Sequence, residues 1–342
     1  MANWGLIGNE QIVERLQAAL ANGRLSHAYL LCGPSGIGKT ALATALAQTL
    51  NCREPEPPCG ACSSCRRIAA GGHPDVVTIA LESNRTLIGI DRMRELRLSA
   101  ALKPYEGPWR IFIILEADLL SSDAANTLLK TLEEPPPGVL IVLTTAAEDR
   151  VLPTIRSRCQ ALHLQRVPAP VLTTALVERF ALPVPDAEAL AALAQGCPGA
   201  AIQAAGDPEN IEKLEDGLAR LRELLEADLP ERLIVAGTMV DTGSAGASPA
   251  GAGGGRASLQ DILARWELWW RDLLLVHQGC PTGLVYTAER ENYQRIARGL
   301  EVGQVHHALK SIQLARQQLE QNALPRLVLD VLSLEFPTII KL

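Results

Sequence analysis

The stretch Gly33-Pro34-Ser35-Gly36-Ile37-Gly38-Lys39-Thr40, "GPSGIGKT", decides the fold. It fits the spacing G-x-x-x-x-G-K-[ST] without a mismatch. Its glycines let backbone N–H groups turn toward phosphate oxygens, Lys39 reaches the β- and γ-phosphates, and the Thr40 hydroxyl is placed to ligate magnesium. The flanks agree with this reading. "AYLLC" (28–32) is a short buried-strand run, and "TALATALAQTL" (40–50) is a helix whose N-terminal dipole adds to the cradle. A glycine-rich turn that matches by accident would lack this strand-before, helix-after context. Residues 33–40 are therefore the candidate nucleotide site.

Outward from the loop, "EQIVERLQAAL" carries apolar residues at 12, 13, 16, 19 and 20, a helical face, and Gly23 follows as a stop signal. "DVVTIA" (75–80), "RIFIIL" (110–115) and "GVLIVLTT" (138–145) read as buried strands, and "ALHL" (161–164) closes the sheet. "GIDRMRELRLSAAL" (89–102) and "SSDAANTLLKTLEE" (121–134) read as helices between them. Apolar strands alternating with helices imply an α/β fold with a parallel sheet covered on both faces. After "RVPAP" (166–170) the strand signals fade. The expected division is a nucleotide-binding domain at 1–166, a small helical domain at 167–207 and an all-α domain at 208–342. Wide apolar stripes run through "LQDILARWELWWRDLLLVHQ" (259–278) and "GQVHHALKSIQLARQQLE" (303–320). The Gly/Ala/Ser-rich run at 241–258 reads as a mobile insertion.

The 342 residues are enough for two or three domains. The N-terminus lacks the charged start and apolar core of a signal peptide, and no apolar run approaches a membrane span, so a cytoplasmic protein is expected. A net charge of -6 is unlike that of a chain that grips DNA alone, so any DNA contact is local or shared with partners. Four of the eight cysteines, Cys52, Cys59, Cys62 and Cys65, read C-x6-C-x2-C-x2-C. Four thiolates so spaced can close a tetrahedral structural zinc site. Four unrelated thiols and an iron–sulfur cluster are the alternatives.

One piece of an ATPase site is missing. Strands like "RIFIIL" in ATP-hydrolysing folds end in a carboxylate that holds magnesium, and Leu115 stands there. Glu116 can orient a water; alternatively Glu116 and Asp118 sit on a solvated turn before the next helix. Thr144 and Thr145 end the next strand, and Thr145 is a candidate sensor of nucleotide phosphate. "LPTIRSRCQ" (152–160) then brings Arg156 and Arg158. An arginine at a domain edge can reach a neighbour's nucleotide and neutralise transition-state charge, or can be a solvated cation in a local salt bridge. Arg92, Arg94 and Arg97 share one helical stretch, and read as a solvated face more readily than as a DNA contact.

In this order, "GPSGIGKT", "CGACSSC", "HPDVV", "NTLLKTLEEPP" and "SRC" followed by helical domains, the chain resembles the clamp-loader subunits of bacterial DNA polymerase III, of the AAA+ class. The resemblance is strongest over 5–166. Within the family, "HPDVV", "GIDRMREL" and the weakened "IILEAD" look like the stator subunit rather than the motor. The resemblance implies a ring of subunits that loads a sliding clamp onto primed DNA in replication, with motor (gamma/tau) and delta subunits, the clamp and primer-template DNA as partners. It implies an AAA+ domain with a zinc module, a helical lid and a C-terminal collar, with Arg158 as an arginine finger serving an adjacent motor's ATP. It also implies ATP and magnesium at the chain's own loop with weak or no hydrolysis. The arginine often found in the "GCPGAAIQ" helix (196–203) is absent, with Gly199 and Ala200 in its neighbourhood. The rival readings are an active ATP-hydrolysing motor subunit and an isolated zinc-bearing DNA-binding protein.

Overall fold

Buried strands that pair on both sides need apolar side chains on both faces, and the strands of this chain supply them. The computed structural model describes residues 3–82, 85–206, 209–244, 254–280, 283–286, 289–321 and 323–339. The chain divides into two compact units, one running to Leu172 with Gly196–Ala200 added, the other Thr173–Gln195 with Ala201 onward.

The first unit is built on β1 (Ala28–Cys32), β2 (Val76–Ile79), β3 (Arg110–Ile114), β4 (Val139–Thr145) and β5 (Gln160–His163). The strands are all parallel and lie in the order β2-β3-β4-β1-β5. Around them run α1 (Glu10–Ala21), α2 (Lys39–Asn51), α3 (Ser63–Ala69), α4 (Ile90–Ala100), α5 (Ser122–Glu133) and the short α6 (Pro153–Arg156). Period-two alternation sorts the strand side chains. Tyr29, Leu31, Ile111, Ile113, Leu140 and Val142 pack with Val13 and Leu16 of α1 and Leu42 and Leu46 of α2. Their alternates Leu30, Phe112, Ile114, Ile141 and Leu143 pack with Met93 and Leu96 of α4 and Leu128 and Leu132 of α5. The expected α/β class and doubly covered parallel sheet are thus realised, and β5 lies on the edge beside β1.

Two boundaries differ from the sequence pattern for local reasons. Asp75 precedes β2, because its buried carboxylate accepts N–H bonds from Tyr105, Glu106 and Gly107 at 2.5, 2.7 and 3.0 Å. β3 stops at Ile114, and Glu116 takes a left-handed conformation (φ 51°, ψ 56°) that turns the chain away. α3, in the cysteine region, is seven residues long, and no apolar period in the sequence signals it.

The second unit is helical: α7 (Ala169–Phe180), α8 (Val184–Leu193), α9 (Pro198–Ala205), α10 (Glu209–Glu226), α11 (Leu229–Ser244), α12 (Gly254–His277), α13 (Arg290–Ala297), α14 (Val302–Glu320) and α15 (Pro325–Glu335), of which α7 and α9 begin in residues of the first. Residues 241–244 and 254–258 of the glycine-rich run belong to α11 and α12, and 245–253 lie outside the described residues. The stripe of α12 is consumed inside the unit: Trp266, Trp269 and Trp270 are fully buried, and Trp266 donates its indole N–H to the Gly217 carbonyl at 2.9 Å. Arg232 is buried as well, its guanidinium donating to the carbonyls of Ala227, Ser333, Phe336 and Pro337. Among the described residues no helix is long and apolar enough to cross a membrane.

Replacing Asp75 by Ala orphans three backbone N–H groups, and is expected to cost about 2–4 kcal/mol of stability near neutral pH, read by urea unfolding. Burial alone would raise the Asp75 pKa, but the three N–H bonds outweigh it and hold the carboxyl below its usual range. Its contribution is therefore fully present above the usual carboxylate range and is lost as pH falls through the lowered value. The gap between wild type and Asp75→Ala should close at that acidic end.

Candidate nucleotide site and metal centre

The phosphate loop leaves the end of β1 and enters α2 at Lys39. Gly36 and Gly38 have φ of 73° and 105°, a region that only glycine enters without strain. At Gly36 space is short as well, since a Cβ would stand 3.1 Å from the Ala200 nitrogen. The Gly36 carbonyl accepts the Gly199 N–H at 2.7 Å, so Gly196–Ala200 closes on the loop through backbone. Ile37 anchors the loop in the core, while Ser35 and Thr40 are exposed and Gly33 and Pro34 half-buried. Lys39 Nζ donates to the Gly33 and Pro34 carbonyls at 2.6 and 2.8 Å. Burial lowers its pKa, and the nearby Asp118, Cys197, Cys32 and Glu116 oppose that. The positive-φ glycines, the lysine and the helix start together form a cradle suited to a nucleotide's phosphates.

The acids after β3 are arranged by the left-handed turn. Leu115 is half-buried and packs on the same apolar cluster as Leu31, Ile37 and Leu42, which puts a hydrocarbon where a metal-binding acid would be needed. Glu116 is exposed, and its N–H donates to the Thr144 hydroxyl at 3.2 Å. Thr145 is fully buried and donates its hydroxyl to the Asp118 carboxylate at 2.6 Å. Asp118 is thus held at the end of β4 and within the electrostatic reach of Lys39. The local pattern places Asp118 beside Glu116 on a turn, and nothing in it signals the reversal of direction at residue 116.

Arg158 follows α6 and is half-exposed. Its guanidinium meets the Glu133 carboxylate of α5 at 2.9 Å and donates to the Thr154 carbonyl at 3.1 Å. Arg156 pairs loosely with Asp149 at 4.0 Å. In the α4 region, Arg92 is engaged by Glu82 and Glu95, and Arg94 by Asp91, all exposed pairs.

The structure brings Cys52, Cys59, Cys62 and Cys65 together, with all four Sγ atoms within 4.8 Å of one another. The Cys59–Cys65 separation is 3.9 Å, close to the edge of a tetrahedron with Zn–S bonds of about 2.3 Å. Such mutual proximity fits one ion, whereas an iron–sulfur cluster would hold the thiolates apart around several irons. The Cys62 N–H donates to Cys59 Sγ, and the Cys65 N–H, at the start of α3, donates to Cys62 Sγ. That last bond leads in drawing the Cys62 thiol down to about 6, a charge favourable to a cation, while burial pushes Cys65 up to about 12. None of the four is in a disulfide. The cluster could hold a zinc ion.

Comparison with known proteins agrees with this geometry. Residues 8–168 match the family described as "DNA polymerase III, delta subunit". The DNA polymerase III subunit gamma/tau of Mycobacterium tuberculosis is 40% identical over 179 residues, covering 51% of this chain and 30% of that protein. The DNA polymerase III subunit delta' of Escherichia coli is 36% identical over 191 residues, covering 55% of this chain and 57% of that protein. The chain thus spans less than two thirds of either relative. Over residues 8–168 the chain is therefore similar to subunits of DNA polymerase III. The parallel five-stranded sheet with helices on both faces is that of the AAA+ fold.

Replacing Cys59 or Cys62 by Ser is expected to remove one zinc ion per chain and lower the melting temperature by several degrees. Elemental analysis and a thermal melt check both; an unchanged zinc content would remove the module from the protein's metal chemistry.

Proposed function

We propose that the chain is a delta-prime-type stator in a clamp-loader ring that places the sliding clamp onto primed DNA. It binds ATP at residues 33–40 with weak or no turnover, and presents Arg158 to the nucleotide of a neighbouring gamma/tau motor subunit. The observation that carries this reading is Leu115, a half-buried side chain packed against the core where a motor needs a metal-holding acid, beside an intact phosphate loop. Hydrolysis needs that metal held and a water oriented. Glu116 is exposed for the second task, and no acid follows β3 directly for the first.

Arg158 suits action in trans because its hold on Glu133 is a half-exposed ion pair, worth about 0–1 kcal/mol, which a more negative partner displaces. In this reading the cysteines hold zinc structurally, 167–207 is a lid, and 208–342 is a collar that meets the motor and delta subunits. The exposed Leu327, Val331 and Leu334 along α15, with Leu324 at its N-cap, support a helix-packing partner there. The cytoplasm is the compartment of such an assembly.

A motor reading has one observation in its favour: Asp118, bound by Thr145 and close to Lys39, is an acid at the phosphate end of the sheet. ATP turnover separates the two. In a loader reconstituted with its partner subunits, clamp and primed DNA, Arg158→Ala is expected to assemble and to lower turnover about ten-fold or more, with the lone chain silent. Unchanged turnover makes Arg158 a surface charge. Brisk turnover by the lone chain, abolished by Asp118→Asn, makes it a motor. For the lone chain, Lys39→Ala is expected to weaken ATP binding at least ten-fold in equilibrium dialysis, because it removes the loop's only lysine cation.

A further inference from the structure

A second cluster of metal-ligating side chains lies apart from the cysteine module, on the strands that carry the phosphate loop. Cys32 ends β1, His163 ends β5, and the parallel register pairs them directly, so both side chains leave the same face of the sheet. Glu148 lies in the short 3-10 turn after β4 (Glu148–Arg150). One ligand atom from each, a thiol sulfur, an imidazole nitrogen and a carboxylate oxygen, fall within 4.8 Å of one another. His163 Nε2 and Glu148 Oε2 are 2.7 Å apart.

We propose that Cys32, Glu148 and His163 form a three-ligand zinc site that fastens the phosphate loop. A buried thiolate with an imidazole and a carboxylate is a donor set for a borderline-soft divalent ion, not for magnesium. Cys32 is buried and fixed by the strand, while Glu148 and His163 are 32% and 63% exposed in their side chains. The two surface ligands are free to spread from their hydrogen bond to the wider spacing that a tetrahedral ion needs. With three protein ligands, the fourth position faces solvent.

The placement gives the ion a consequence. Cys32 is bonded directly to Gly33, the first residue of the loop. The Leu164 N–H donates to the Cys32 carbonyl at 2.9 Å, and the Leu164 carbonyl lies 3.1 Å from where a Gly33 Cβ would stand. An ion at the trio ties the end of β1, the end of β5 and the turn after β4, all of which bound the loop. Its binding releases the Cys32 proton to solvent and adds a net positive charge beside the cradle, which favours phosphate. This coupling rests on the nucleotide reading of residues 33–40; the ion site itself does not.

The test is a titration of the full chain with Zn(II) against a competing chelator, repeated with Co(II) for its spectrum. Wild type is expected to take two ions, and Cys59→Ser to retain the one bound at the trio. His163→Ala changes an exposed side chain, and should keep the circular dichroism and melting of the wild type yet bind one ion fewer. Glu148→Gln should weaken that ion at least ten-fold. The proposal is overturned if wild type takes one ion that His163→Ala leaves in place, since the trio is then a hydrogen-bonded cluster only. A second arm measures binding of a non-hydrolysable ATP analogue with the trio filled and empty. A change of about three-fold or more in wild type, absent in His163→Ala, supports the coupling. Equal affinities overturn the coupling and leave the metal count to decide the site.

Discussion

The parallel register of β1 between β4 and β5 is the constraint on which the first unit depends. It aligns Leu31 with Thr144, and Cys32 with both Thr145 and His163. Every group that meets the phosphate loop from the sheet therefore emerges at one carboxyl edge. Parallel sheets gather their chemistry there because each strand must hand over to a crossover helix at the same end. The lysine, the threonines and the acids after β3 converge for this reason, although they are more than a hundred residues apart at the extremes. The two apolar layers that sandwich β1 keep the register from slipping, since a one-residue shift would turn every inward side chain to the wrong layer.

At that edge the chain trades metal-binding capacity for packing. Leu115 extends the apolar layer by one residue, and the left-handed turn at Glu116 then reverses the direction of the chain. A non-glycine residue in that conformation costs about 1–2 kcal/mol and persists only where its surroundings hold it. Here the Glu116 N–H is held by Thr144, and two residues later Asp118 is held by Thr145. The acids are thus placed by the neighbouring strand. The result is a phosphate-binding loop beside an apolar position, with no carboxylate directly after β3.

The cysteine module follows a different logic. Sequence spacing alone groups its four cysteines, because C-x6-C-x2-C-x2-C is local. Cys52 reaches the other three because α2 ends at Asn51, beside α3. Ser64 of α3 donates to the Asn51 carbonyl, and Asn51 exchanges hydrogen bonds with Trp109, the residue before β3. The module is thereby tied to the AAA+ core by buried polar contacts as well as by any metal.

The sequence by itself determined the five strands, the phosphate loop and the helical character beyond residue 170. Each rests on local information: apolar runs, a fixed motif, a 3.6-residue period. It also made the cysteine grouping legible, through short spacing. It read the stripe of α12 as an apolar face, but not that three tryptophans would spend it inside the unit's own core. Only the tertiary structure decided that Asp118 turns back to Thr145, that Arg158 rests on Glu133, and that Cys32, Glu148 and His163 meet. Those are contacts between chain segments distant in sequence. Their geometry depends on strand order, register and a single left-handed residue, and no window of the sequence contains all three.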